Sequence, residues 1–173
     1  MNNYAGKLSG RELEQKAAEL PWEELESAPS DVERRLSAKP IDLGEFRAQF
    51  TREELLRAAV KYGKAVVHTG RLYRHLLKAM NGRPFELEMS VDETESPTTL
   101  VEHVYIACEL KRLGVVWVSL APRYVGAFEK GVDYIGDTAA FRSDFAVHAS
   151  IARCLGSRVS SRMRAPPLMI GMS

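Results

Sequence analysis

The feature that most constrains the fold is a change from strand to helix periodicity, and back again, within residues 85–120. Apolar and polar residues alternate over residues 85–92, which is the pattern of a β-strand. A helical pattern begins at Thr99 and stops at Gly114, and residues 115–120 form an apolar run with one serine. Such a run is typical of a strand that is buried on both faces of a parallel sheet. The sequence therefore predicts one βαβ unit and an α/β fold.

Helical patterns also lie on both sides of this unit. Thr51 and Glu54 have the spacing of a capping box, and the apolar periodicity that follows predicts a long helix to about Met80. A second amphipathic pattern covers residues 141–155 and is closed by Gly156. The apolar side chains of the strand at residues 85–92 could pack against such helices.

The chain divides into three regions by pattern. Residues 1–50 read as a helical N-terminal extension in which Ser30 and Glu33 form another capping box. Residues 51–157 carry the β/α rhythm. Residues 158–173 are a divergent tail without clean alternation, so the repeat stops where another strand is expected.

Composition excludes several classes of function. Lys and Arg total 24 against 23 acidic residues, so the net charge near +1 produces no field that would hold nucleic acid or an anionic membrane. No run of about 18 apolar residues and no secretory leader is present, so we expect a soluble, cytoplasmic protein. Cys108 and Cys154 lie inside apolar helical patterns and are interpreted as buried thiols.

The strand at residues 85–92 carries a row of acidic groups. Glu86, Glu88, Ser90 and Asp92 all point to the face opposite its apolar side chains. Burial of unpaired carboxylates is costly, so the row implies ion pairing, a metal or a wet cavity if that face is covered. The alternative is a strand at a sheet edge with its acidic face in water, and the spacing leaves both interpretations open.

Two further segments could carry chemistry. Arg123 follows the second strand and offers a fork of donors suited to a carboxylate, although a loop arginine is often only a surface charge. Glu129, Asp133 and Asp137 recur at intervals of four in a loop, which fits either a divalent cation or a solvated turn. The four histidines are interpreted as packing or surface residues, because none has the spacing of a helical zinc motif.

Long stretches of the chain resemble a known enzyme family. The segments are FELEMSVDETESPTT, ACELKRLGVVWVSLAPRYVGAFEKGVDYIGD and DFAVHASIARCLGS. Together, from about Thr51 to Ser157, they resemble the tagaturonate/fructuronate epimerases. Members of that family are metal-dependent isomerases with a barrel-like fold that invert carbon four of a keto-hexuronate.

The resemblance implies roles for particular residues. Residues 51–157 would be part of a TIM-like (β/α) barrel, with Glu88 as the catalytic proton donor. Asp92, Glu93 and Arg123 would bind the sugar acid, with Arg123 on its carboxylate. Glu129 would be a ligand of a divalent metal cation.

Two departures from the family indicate an incomplete enzyme. Relatives are several hundred residues long, and the strand expected after Gly156, with its histidine, is missing from the tail. We therefore expect an interior fragment that is inactive alone and whose partners are a small-molecule sugar acid and complementary barrel segments or a second copy of the chain. The alternative is a non-catalytic helical interaction module that binds a partner chain.

Overall fold

The computed structural model describes residues 7–44, 46–127 and 133–156. Within these ranges there are five α-helices and two small sheets. The predicted tail, residues 158–173, lies outside the described residues.

The N-terminal region contains two short helices and a hairpin. Helix α1 is Gly10–Ala18, α2 is Pro29–Leu36, and strands β1 (Ile41–Asp42) and β2 (Arg47–Ala48) pair in antiparallel fashion. The predicted capping box at Ser30 and Glu33 is wrong, because α2 begins one residue before Ser30 with Ala28 as its N-cap. Pro29 causes this earlier start, since its fixed φ and missing N–H suit the first turn of a helix.

The predicted long helix is present as α3, Arg52–Met80. Its capping box is confirmed, since Thr51 accepts the backbone N–H of Glu54 and the Glu54 carboxylate accepts that of Thr51. The helix ends at Asn81, which has a left-handed φ of 47° and is followed by Gly82 at 81°. This turn sends the chain back along the helix toward the strand that follows.

The predicted βαβ unit is also confirmed. Strand β3 is Glu88–Ser90, helix α4 is Leu100–Arg112, and strand β4 is Ser119–Ala121. The two strands are parallel, with Glu88 paired to Ser119 and Ser90 to Ala121. Thr99 and Glu102 form a complete capping box that fixes the start of α4. The strands are shorter than their sequence patterns, although backbone hydrogen bonds from Val118 to Leu87 and from Val91 to Ala121 extend the pairing at both ends.

Burial of the second strand on both faces, as predicted, is wrong for the described residues. Val115 and Trp117 are buried, but Val116 is 38% exposed and Val118 is 48% exposed. Glu86, Glu88 and Ser90 are exposed as well. Helices cover one face of this two-stranded sheet, and no described residue forms a layer over its other face. Among the alternatives for the acidic face, solvation is therefore what the described chain shows.

Helix α5, Thr138–Leu155, packs on α4 and is closed by Gly156 as predicted. Cys154 on this helix is exposed, so its assignment as a buried thiol is wrong, whereas Cys108 on α4 is partly buried. Burial raises the pKa of the Cys108 thiol to about 11. At neutral pH this thiol is therefore protonated and a poor nucleophile.

One continuous hydrophobic core joins the N-terminal helices to the βαβ unit. Among its largest fully buried members are six from α1, α3, α4, α5 and the segment after α1: Leu13, Leu25, Tyr62, Ile106, Leu110 and Ile151. No helix among the described residues is long and apolar enough to cross a membrane.

Candidate functional site

The candidate site is the carboxyl edge of the parallel pair β3 and β4. The N–H of Val91 donates to the carbonyl of Ala121 at 2.9 Å, so the pairing continues just past the strand ends. Asp92 and Glu93 follow on one chain segment and Arg123 on the other. Since the strands are parallel, these three residues leave the sheet at the same edge, as the βαβ prediction required.

The acidic residues lie at different distances from this edge of the sheet. Glu88 is the first residue of β3, and Asp92 lies four residues farther along the chain, roughly 13 Å away at the usual rise per strand residue. Both side chains are exposed, as is that of Glu93. The Ser90 hydroxyl donates to Asp92 Oδ1 at 2.5 Å, which holds the Asp92 carboxylate over the strand end. The Asp92 carboxylate is therefore held by a hydrogen bond at the edge, while Glu88 lies farther from the edge on the exposed face of β3.

Arg123 is partly buried and its backbone is tightly held. Its N–H donates to the hydroxyl of Thr98 at 3.0 Å, and its carbonyl accepts the N–H of Thr98 at 2.8 Å. Within residues 7–44, 46–127 and 133–156, no carboxylate pairs with its guanidinium group. A guanidinium with a fixed base and free donors is suited to receive an anionic group from solution.

A buried ion pair supports the loop between β3 and α4. Lys61 Nζ lies 3.0 Å from Glu102 Oε2, with both side chains almost fully buried. The same ammonium donates to the hydroxyl of Ser96 at 3.1 Å and to the carbonyl of Pro97 at 3.2 Å. All three donors of Lys61 are thus satisfied, which offsets the cost of burying the charge. Sequence reasoning missed this pair; the available signal was a lysine in the middle of the apolar stripe of α3.

A second polar contact beneath the edge joins α4 to α5. His103 and His148 are both buried, and their Nδ1 atoms are 2.8 Å apart. One neutral ring donates to the other, and the ring of Tyr124 stands edge-on to His148 at 5.4 Å. Burial, with a smaller effect of His148, lowers the pKa of His103 to about 3. Burial also lowers the pKa of His148, although the Asp144 carboxylate opposes this.

These two histidines confirm the packing interpretation, whereas His68 and His75 on α3 are exposed. The contact between His103 and His148 had no signal in the sequence, because the residues lie 45 positions apart. Buried and neutral, the pair can fix the two helices relative to each other.

The described residues do not provide a metal site by themselves. No group of three or more His, Cys, Asp or Glu side chains among them could hold an ion. Glu129, the predicted ligand, lies outside the described residues. Asp137 is the N-cap of α5, with Oδ1 accepting the N–H groups of Ala139 and Ala140, so its role there is structural. The interpretation of Asp137 as part of a solvated turn fits better than that of a ligand.

Comparison with known families identifies the chain. The sequence model of the tagaturonate epimerase family, UxaE, matches residues 1–162. The chain belongs to the tagaturonate epimerase family. The match includes the N-terminal region as well as residues 51–157, in keeping with the single core that joins the two.

Individual members of the tagaturonate epimerase family agree in sequence and structure. The tagaturonate/fructuronate epimerase of Thermotoga maritima is 41% identical over 118 residues, which are 68% of this chain and 24% of that protein. The fructuronate-tagaturonate epimerase of Cohnella laeviribosi, crystallised with two glycerols, superimposes with a TM-score of 0.80 at 35% identity. The superposition covers 91% of this chain and 31% of that one. The native crystal structure of the same enzyme gives a TM-score of 0.76. The chain thus spans less than a third of the length of these relatives.

Proposed function

We propose that this chain contributes part of the site that interconverts tagaturonate and fructuronate by inversion at carbon four. The observation that carries the proposal is the parallel pairing of β3 with β4 in a member of the epimerase family, through which Asp92, Glu93 and Arg123 leave the sheet at one edge. In a (β/α) barrel, the carboxyl edge of the strands is where catalytic groups gather. The βαβ unit would be one segment of such a barrel.

Each residue has a role in this proposal. Arg123 would bind the carboxylate of the sugar acid through its guanidinium group, with which no carboxylate of the described residues pairs. Asp92, held by Ser90, and Glu93 would accept hydrogen bonds from sugar hydroxyls. Glu88 would donate the proton, acting from deeper on the open face of β3. Inversion at carbon four requires either that a base removes its proton on one face and a proton is returned on the other, or that a carbon–carbon bond is broken and re-formed. In the first route the Glu88 carboxyl group would return the proton to carbon, and in the second it would protonate the alkoxide oxygen.

A divalent cation belongs to the proposal, with Glu129 as one ligand. No group of three or more His, Cys, Asp or Glu side chains among the described residues could hold the cation, so ligands from outside them would have to complete the site. When bound, such a cation stabilises an oxyanion that develops on the substrate.

The same proposal holds that the chain turns over little substrate alone. Relatives are more than three times as long, and the acidic face of β3 is exposed in the described chain. In water, the charge of Glu88 is screened and the substrate is not enclosed, so the electrostatic part of catalysis is weak. Complementary barrel segments would cover this face and exclude water.

The test is a reconstitution assay. The chain is incubated with tagaturonate and a divalent metal, alone and with the remaining segments of the Thermotoga maritima epimerase, and fructuronate is measured. We expect turnover only in the mixture. Glu88→Gln should lower it by about 100-fold or more, the usual contribution of a general acid. Glu86→Gln is the matched control, because it removes an exposed carboxylate from the segment just before β3, two residues farther from the edge. Full turnover by the chain alone, or equal rates for the two variants, would contradict the proposal.

A second candidate, a non-catalytic interaction module, is favoured by the exposed apolar side chains Val116 and Val118 beside the sheet. The same mixture discriminates between the two. An interaction module would show a raised unfolding midpoint on mixing, without any production of fructuronate.

A further inference from the structure

The backbone of Arg123 is held by a buried network of hydrogen bonds that begins on α3. The hydroxyl of Thr98 accepts the Arg123 N–H at 3.0 Å and also lies 3.0 Å from the hydroxyl of Tyr62. Thr98 is 2% exposed and Tyr62 is fully buried. Burial, with a smaller effect of Glu102, raises the pKa of Tyr62, so its hydroxyl stays neutral and able to donate.

The peptide that joins Pro97 to Thr98 is held from both sides. Its carbonyl accepts from Lys61 Nζ at 3.2 Å, and its N–H donates to the carbonyl of Arg123 at 2.8 Å. Lys61 is in turn fixed by Glu102, which also caps α4. Two helices therefore determine where the Thr98 hydroxyl lies, and that hydroxyl determines where the Arg123 backbone lies.

From this geometry we infer that Thr98 is a positioning residue for Arg123, the group that selects the carboxylate of the substrate. The inference rests on the proposed function, since it assumes that Arg123 binds a carboxylate. The network explains why Arg123 would bind a sugar acid in preference to a neutral sugar. An arginine whose backbone is anchored loses less freedom when its side chain binds an anion, so the anchored form discriminates better between an acid and a neutral sugar.

The chain offers a matched control in the same loop. Thr94 is as buried as Thr98, and its hydroxyl donates to the carbonyl of Ser96 at 2.9 Å, but no hydrogen bond joins it to Arg123. Thr94→Val and Thr98→Val therefore remove the same chemical group from the same loop. Only the second removes the acceptor of the Arg123 N–H.

The first measurement is hydrogen exchange of backbone amides in the 173-residue chain by NMR. We expect the Arg123 amide to exchange about tenfold faster in Thr98→Val, the effect of losing one buried hydrogen bond, with α4 amides such as that of Tyr105 unchanged. Thr98→Ser should restore the slow rate, and Thr94→Val should leave it as in the wild type. Equal acceleration across α4 in Thr98→Val would overturn the inference, because it would indicate only a loss of stability.

The second measurement is ligand titration followed at Arg123. The probes are tagaturonate and the ketohexose of the same configuration, in which an alcohol replaces the carboxylate. Thr98→Val should weaken tagaturonate binding about fivefold to tenfold, again the size of one hydrogen bond, and leave the neutral sugar unchanged. An effect of Arg123→Gln with none of Thr98→Val would refute the positioning role alone. No difference between the acid and the neutral sugar in the wild type would overturn this inference and the proposed role of Arg123 together.

Discussion

The buried histidine pair makes the stability of this protein depend on pH in a calculable way. Burial keeps the pKa of His103 at about 3, whereas in the unfolded chain it returns to about 6.5. The unfolded state therefore takes up a proton first as the pH falls. The stability contributed by neutral His103 is fully present above about pH 6.5 and is lost progressively between about pH 6.5 and pH 3.

The magnitude follows from the two pKa values. At about pH 5 nearly all unfolded chains carry the proton on this residue and almost no folded chains do, which lowers the free energy of unfolding by about 2 kcal/mol relative to about pH 7.5. His148 shifts in the same direction and adds to the loss. A change of this size is a large fraction of the stability of a small domain.

The assay is urea unfolding, followed by circular dichroism, at a series of values between about pH 7.5 and pH 5. His103→Asn keeps a polar atom near the position of Nδ1 but cannot titrate, so its pH dependence should be smaller than that of the wild type by about 2 kcal/mol. His75→Asn, an exposed position on α3, is the control and should retain the full dependence. The same pH dependence in the wild type and His103→Asn would refute the neutral buried pair.

Three further measurements test the remaining structure. Lys61→Met should lower the free energy of unfolding in urea by about 3–5 kcal/mol, because it leaves the buried Glu102 carboxylate without its cation. The double variant with Glu102→Leu should recover much of this loss, and no recovery would contradict the ion-pair account. Thr99→Ala should cost about 1 kcal/mol through loss of the α4 cap, with Thr99→Ser near the wild type; equal losses in both would point to packing instead. Removal of divalent cations with EDTA should abolish turnover of the reconstituted enzyme but leave the unfolding midpoint of the chain unchanged; a large shift of that midpoint would reveal a structural metal site.

Helices and strands that are specified by residues close together in the sequence were predicted well. The capping boxes at Thr51 and Thr99 mark the helix starts correctly, because each is complete within four consecutive residues. The strand and helix periodicities around them gave the βαβ unit and its parallel pairing. The prediction at Ser30 failed for an equally local reason, since Pro29 starts the helix before the serine can cap it.

The sequence predicted which residues share the strand edge, but not the buried polar contacts behind it. The βαβ pattern brings Asp92 and Arg123 to the same edge by the rule that parallel strands share their carboxyl ends. Lys61 and Glu102 are 41 positions apart in the chain, and nothing in either neighbourhood indicates the other. The same applies to His103 and His148, whose contact depends on how α5 lies on α4.

The family, the βαβ unit and the alternation of side chains along β3 follow from the sequence alone, because motifs and backbone periodicity specify them. The hairpin of β1 and β2 does not, because residues 1–50 show only helical patterns. Only the tertiary structure decided which polar groups are buried and which face of the sheet is open. Burial depends on what packs against a side chain from distant parts of the chain. Lys61 is therefore enclosed by the loop that follows β3, while Glu88 is exposed because it lies on the uncovered face of the sheet.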